Sequence, residues 1–347
     1  MLPRPNELTL CREPPVEVVV LTGFLGTGKT TLLRRLLAHA EFADAAVIIN
    51  EFGSEPLDHL LVEHGADVTS VISGGCLCCL PPERLISLMG DMMRRQYLGE
   101  LPQFRRLVIE TSGLADPAPL LQSFAGDPLR LSRYKLRCIV TTLDARDPGT
   151  ASRPHGVGTK QLAAADIVVL TKTDLVAPGE AARLMRELGA LSPAPLLDSG
   201  EGAFLDRLLA LMADTERRPM AEPDPLAPGH RHDGPAYAAL SRRLSRPIDA
   251  NRLVAWLDDL AAHLGPRLLR LKGVVEVAGL DRPLEIQGSG GYLFPFRPCP
   301  SPIPARGAMT IIVEMNDAEY ADARLRALAE TETPARQLGA QLRVAAS

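Results

Sequence analysis

No apolar run in the 347-residue sequence approaches the roughly 18 residues that a membrane-spanning helix requires. Positive charge is not in excess either. Lys and Arg number 38 against 42 Asp and Glu, a net charge of −4, which argues against a nucleic-acid binder working by bulk electrostatics, since such domains carry a basic face. Six cysteines are too sparse for a disulfide scaffold. Residues 1–15 lack the apolar stretch of a secretory signal, so a cytoplasmic protein is expected. Lysine is scarce: only Lys29, Lys135, Lys160, Lys172 and Lys272 stand among the 38 basic residues. The remainder is ordinary for a globular chain, with 46% apolar and 23% charged residues. The length suggests two domains at about 150 residues each.

From Val16 to about Leu197, short Val- and Ile-rich runs (17–21, 45–50, 68–72, 106–110, 136–143 and 166–170) alternate with helical stretches such as 30–40 and 180–191. Several runs lack period-2 alternation, as expected of strands buried on both faces of a parallel sheet. The pattern predicts an α/β, doubly wound, mainly parallel sheet over 1–215. Residues 216–235 hold five prolines in twenty positions and His230 and His232, and read as a linker. Beyond them a smaller α+β domain is predicted over 236–347. It has extended runs at 237–244, 268–277, 284–287, 292–296 and 310–315 and a helix near 317–330. A further helix is capped by Asp249, with Leu253, Trp256, Leu257, Leu260 and Leu264 as its core stripe.

Gly23-Phe-Leu-Gly26-Thr27-Gly28-Lys29-Thr30 matches G-x-x-x-x-G-K-[ST], between a strand and a helix. Such a P-loop turns backbone N–H groups inward around phosphates at a helix N-terminus. Lys29 is assigned to the phosphates, the Thr30 hydroxyl to Mg²⁺, and Thr31 to the same nucleotide site. Thr171-Lys172-Thr173-Asp174 follows the sixth predicted strand. A carboxylate such as Asp174 accepts from guanine N1–H and N2–H₂ together, whereas adenine offers an acceptor at that edge. With lysine so scarce, its presence at both 29 and 172 is itself a signal, and the nucleotide is read as GTP. Glu110 ends a strand where an acid can meet Mg²⁺ directly or through water. Gly113, in Ile-Glu-Thr-Ser-Gly, lets backbone approach the γ-phosphate. No Gln or His stands in these motifs to orient water, so slow intrinsic hydrolysis is expected.

Cys76, Cys78 and Cys79 fall within four residues, which in a reducing compartment points to metal or redox chemistry. Cys76 and Cys78 share a side of an extended backbone, or Cys76 and Cys79 a helical face. Glu51 is the leading candidate for a further ligand, ahead of His59 and His64. Sulfur-rich sites favour Zn²⁺ or another borderline-to-soft ion. Cys138 reads as strand core.

The segments 23–30, Asn-Glu-Phe-Gly at 50–53, Gly-Gly-Cys-Leu-Cys-Cys at 74–79, Glu-Thr-Ser-Gly-Leu-Ala-Asp-Pro at 110–117 and Thr-Lys-Thr-Asp at 171–174 occur in an order that resembles the CobW-type metallochaperone GTPases. Arg270-Leu-Lys272-Gly273 looks like the Arg-x-Lys-Gly of that family's C-terminal domain. The resemblance implies a GTPase that binds Zn²⁺ or Co²⁺ at Cys-x-Cys-Cys and hands it to a client metalloprotein, with GTP or GDP controlling metal affinity. The alternative is a nucleotide-regulated scaffold that activates a client without metal transfer. Ser54 stands where many relatives carry Glu. The base motif opens with Thr171 rather than the commoner Asn, and is therefore expected to lose a side-chain brace.

Overall fold

The computed structural model describes residues 14–49, 60–64, 67–72, 82–126, 133–147, 156–214, 237–294, 296–299 and 307–329. Residues 50–59, the cysteines at 76–79 and the segment 216–235 lie outside them. The first part of the chain holds β1 (Val16–Gly23), α1 (Lys29–Leu37), β2 (Ala45–Ile49), β3 (Leu60–His64), β4 (Asp67–Ile72), α2 (Pro82–Tyr97), β5 (Arg106–Glu110), α3 (Pro117–Gly126), β6 (Tyr134–Asp144), α4 (Val157–Ala164), β7 (Ile167–Thr171), α5 (Glu180–Leu191), β8 (Leu196–Asp198) and α6 (Phe204–Asp214). The second holds β9 (Tyr237–Leu244), α7 (Ala250–Leu264), β10 (Leu268–Val275), β11 (Leu284–Ser289), β12 (Tyr292–Leu293), β13 (Arg297–Pro298), β14 (Gly307–Glu314) and α8 (Ala318–Ala329).

Six strands form a parallel sheet in the order β2-β5-β1-β6-β7-β8. Its central strand β1 is buried at every position but Glu17, which is why its sequence shows no alternation. One face packs Val18, Val20, Leu107 and Ile109 against Met89 and Met92 of α2. The other packs Val19, Leu21 and Val140 against Leu32, Leu33 and Leu36 of α1. Cys138 is buried in this second layer, and burial pushes its thiol pKa up.

Two readings of strands change. The run 68–72 is a strand but does not join the parallel sheet: β4 pairs antiparallel with β3 in a separate two-stranded sheet. Only residues 65–66 separate the two, so local hairpin pairing takes this run, a choice that apolar composition cannot reveal. Its place as sixth strand goes to β8, whose three residues are too short for a periodic signal. The 292–296 run supplies only β12.

The second sheet, β12-β11-β10-β14-β9, is antiparallel, with β13 also pairing β11. Asp249 caps α7, accepting from the Arg252 N–H at 3.1 Å, and the predicted Leu/Trp stripe is buried. The Trp256 indole N–H donates to the Arg324 carbonyl at 2.9 Å.

The two parts meet through a buried charge cluster. Arg270 and Lys272, two residues apart on β10, project to the same face of the sheet. Asp166, just before β7, accepts from Arg270 Nη2 at 3.0 and 3.2 Å, from Lys272 Nζ at 3.1 Å and from the Ile139 N–H at 3.0 Å. The Arg270 side chain is 0% and that of Asp166 2% exposed. Leu269 and Ile312 pack beside them against Leu162 and Leu170. Burial alone would raise the Asp166 pKa, but the two cations and their hydrogen bonds outweigh it and hold the carboxyl below its usual range.

Asp166→Asn removes the carboxylate charge that Arg270 and Lys272 share in the buried cluster, and loss of one side of a buried ion cluster costs about 3–5 kcal/mol. Trp256 is the single tryptophan and lies in α7, so its fluorescence reports on the second part. In urea, its transition should move to lower denaturant although the substitution is in the first part; an unmoved transition would mean that the two unfold independently. With a depressed folded-state pKa, the contribution of Asp166 is complete above the ordinary carboxylate value of about 4 and disappears as pH falls through the folded value.

Candidate functional site

The turn between β1 and α1 leaves a helix start without the usual protein partners. Gly28 occupies the N-cap with φ +88°, no side chain caps the helix, and its first turn carries no acid. The first-turn N–H groups and the positive end of the helix dipole are thus directed at the loop, the arrangement that receives phosphate. Lys29 folds back over the loop, its Nζ donating to the carbonyls of Gly23 and Phe24 at 2.9 Å each. Thr27 turns inward instead: its hydroxyl donates to the Phe24 carbonyl at 2.8 Å and lies 2.7 Å from the Thr142 hydroxyl. Its side chain therefore stiffens the loop, while Thr30 and Thr31 are exposed at its mouth.

The Thr30 hydroxyl donates to Glu110 Oε1 at 2.7 Å. Glu110 is 4% exposed at the end of β5, paired with β1 through Leu21. A hydroxyl whose proton is taken by a carboxylate keeps lone pairs for a cation, and an all-oxygen set is what Mg²⁺ selects. These two residues fit that ion.

Residues 111–116 press against the loop from behind. A Cβ on Gly113 would lie 2.5 Å from the Leu25 nitrogen, so only glycine permits this approach. Two residues not anticipated from the sequence fasten the segment to α4: the buried Gln161 amide donates to the carbonyls of Gly113 and Ala115 at 3.2 and 3.1 Å, and Lys160 Nζ donates to Asp116 at 2.7 Å. Asp116 also caps α3, accepting from the Ala118 N–H at 2.9 Å.

Residues 171–174 reach the same loop from the end of β7. The Thr171 hydroxyl lies 2.8 Å from the Thr27 carbonyl and 2.9 Å from that of Leu143, so its one proton is shared between them. The amide of an asparagine is absent here, and a hydroxyl contacts these two carbonyls instead. Lys172 Nζ donates to the Gly26 carbonyl and to Asp144. Asp174 sits exposed on a single 3-10 turn, Thr173–Leu175. Gly23, Gly26, Thr27, Gly28, Lys29, Thr30, Thr171 and Lys172 are thereby brought together, with Glu110 and Gly113 joining through Thr30 and Leu25. Glu51, Cys76, Cys78 and Cys79 lie outside the described residues, as do His59, His230 and His232. Among the described residues no group of three or more His, Cys, Asp or Glu is placed to hold a metal.

Residues 17–195 match the profile of the CobW/HypB/UreG nucleotide-binding domain. The chain belongs to the CobW/HypB/UreG family. A second match, over 237–329, is to the cobalamin synthesis protein cobW C-terminal domain. The chain is 32% identical over 280 residues to the zinc chaperone YjiA of Escherichia coli, covering 79% of this chain and 86% of that protein. It is 31% identical over 319 residues to the zinc chaperone CobW of Pseudomonas aeruginosa, covering 81% and 82%. The solved structure of Zn(II)-bound YjiA GTPase from E. coli superposes with a TM-score of 0.64 at 27% identity, over 91% of this chain and 99% of that one. This CobW-family chain is a GTPase, and the contacts above bring residues 23–30, the Thr30–Glu110 pair and residues 171–172 together.

Gly113→Ala forces either the P-loop or residues 111–116 to move. Overpacking of this kind costs about 1–3 kcal/mol, so binding of a fluorescent GDP analogue should weaken by about tenfold or more. Unchanged affinity in a folded variant would show that the segment and the loop are independent.

Proposed function

We propose that this GTPase is a zinc metallochaperone: it binds Zn²⁺ at Cys76, Cys78 and Cys79, with Glu51 as a further ligand, and delivers it to a client metalloprotein under nucleotide control. The observation that carries the reading is that likeness to a protein named a zinc chaperone runs through 79% of the chain, which also holds the three clustered cysteines. Thiolates suit Zn²⁺, and two converging thiolates with Glu51 would leave one of the four tetrahedral positions without a fixed ligand, which keeps the ion exchangeable. The same donors accept Co²⁺.

GTP and water give GDP and phosphate. The uncapped start of α1 and Lys29 would receive the β- and γ-phosphates, and Thr31 would join the same nucleotide site. Thr30, directly, and Glu110, directly or through water, would hold Mg²⁺, which supplies positive charge against the charge developing on the γ-phosphoryl oxygens. Asp174 would accept from guanine N1–H and N2–H₂, with Thr171 and Lys172 fixing the turn that carries it. Gln161 spends its amide nitrogen on backbone carbonyls, which supports slow intrinsic turnover. Residues 50–53 and 76–79 would act as nucleotide-ordered segments, coupling phosphate to metal. Among the described residues no helix is long and apolar enough to cross a membrane. We place the protein in the cytoplasm, with 216–235 as the linker between a 1–215 GTPase domain and a 236–347 domain.

Titration of Zn²⁺ against the protein with and without Mg²⁺ and a slowly hydrolysed GTP analogue tests the coupling. At least a fivefold difference in affinity is expected, about 1 kcal/mol of coupling. Equal affinities would remove nucleotide control, because a ligand shifts an equilibrium only by its differential affinity. Cys76→Ser combined with Cys78→Ser should abolish tight Zn²⁺ binding while leaving GDP affinity within about twofold. Retention of tight binding would move the metal site elsewhere, and client activation that survives the double variant would favour a scaffold.

A further inference from the structure

Asp174 meets no hydrogen-bond or ion-pair partner among the described residues, so its aim depends on the backbone that carries it. That backbone is the 3-10 turn Thr173–Leu175, whose N-cap is Lys172. Lys172 is the one non-glycine residue with positive φ among the described residues, at +57°. The left-handed region costs a side-chain-bearing residue about 1–2 kcal/mol, and a lysine remains there only if its surroundings hold it.

The anchor is a carboxylate that the motif does not contain. Lys172 Nζ donates to Asp144 Oδ2 at 2.6 Å and to the Gly26 carbonyl of the P-loop. Asp144 ends β6, in parallel register with Thr171, and its side chain is 13% exposed. Arg146 fixes it from the other side: the backbone N–H and Nε donate to Oδ1 at 2.9 and 3.1 Å, and Nη2 donates to Oδ2 at 2.8 Å. A carboxylate held at both oxygens cannot rotate to follow the lysine. The lysine must come to it, and in doing so crosses the P-loop at Gly26. The first residue of the turn is held separately, where the Thr173 hydroxyl donates to Asp198 at 2.6 Å.

We propose that Asp144 is a positioning residue for guanine recognition: by fixing the Lys172 ammonium it holds the turn that aims Asp174 and ties the base site to the phosphate loop. The inference rests on the reading that Asp174 receives the base. Asp144 touches no nucleotide itself, so it acts on affinity and on base preference and leaves phosphoryl transfer to Lys29, Thr30 and Glu110.

The test uses the full chain with Asp144→Ala, the isosteric Asp144→Asn, Lys172→Met, and the Asp144→Ala/Lys172→Met pair. Affinities for GDP, GTP and inosine triphosphate, which lacks the 2-amino group, are measured together with steady-state turnover. Asp144→Ala and Asp144→Asn should weaken GDP and GTP alike by about tenfold, as for loss of a charge-assisted hydrogen bond. The preference for GTP over inosine triphosphate should shrink, with KM raised while kcat at saturating GTP changes less than twofold. In the Lys172→Met background, Asp144→Ala should add less than twofold, and Asp144→Glu should recover part of the affinity. Unchanged affinity and base preference in Asp144→Asn overturn the proposal, as does a loss that is fully retained in the Lys172→Met background. Asp174→Ala separates the two readings. If it leaves base preference intact, the base site lies elsewhere and both fall; if it abolishes preference while Asp144→Asn does not, only the role of Asp144 falls.

Discussion

A helix that begins without a cap organises the nucleotide half of this protein. Gly28 supplies backbone freedom but no side-chain acceptor, and α1 carries no acid in its first turn, so the positive end of its dipole favours an anion. Other elements are arranged to make that helix start rigid. Thr142 and Thr27 join hydroxyls beneath the loop, Thr171 braces it from β7, and residues 111–116 close against it at the one position where no Cβ stands. A loop that held the same glycines without these struts would spend binding energy on its own ordering.

The struts share an origin in the sheet. In a parallel sheet all strands end on one side, and the ends of β1, β5, β6 and β7 here deliver Gly23, Glu110, Asp144 and Thr171 to a common rim. Distances in sequence vanish at that rim: Thr30 meets Glu110 across 80 residues and Thr27 meets Thr142 across 115. Chemistry at the carboxyl ends of the strands follows from the connectivity.

What was legible in the sequence was whatever is contiguous. The P-loop declared itself because its glycines, Lys29 and Thr30 are neighbours in the chain. The α7 stripe did so because 3.6-residue periodicity is local. Pairings were harder. The run 68–72 has the composition of a central strand yet pairs with a hairpin neighbour, and β8 is too short to announce itself. Asp144 and Gln161 carry no motif; each has meaning only through a partner 28 or 48 residues away. Thr171 was read by its difference from asparagine, whereas a single hydroxyl proved able to reach both carbonyls that matter. The cysteine cluster was as plain in the sequence as the P-loop, but its residues lie outside those the structure describes.

The charge cluster at Asp166 bears on how such chains can be recombined. Family profiles divide this one into two matched stretches, 17–195 and 237–329, as though each were a cassette. Physically the seam runs through a carboxylate on one side and two cations on the other, all buried. A graft that joined the first stretch to a relative's second stretch would carry over the sheet and helices, yet would be compatible only where counterparts of Arg270 and Lys272 arrive with it. Positions 166, 270 and 272 therefore form one electrostatic unit that spans the boundary, and a graft that changes one side of it without the other leaves buried charge poorly compensated.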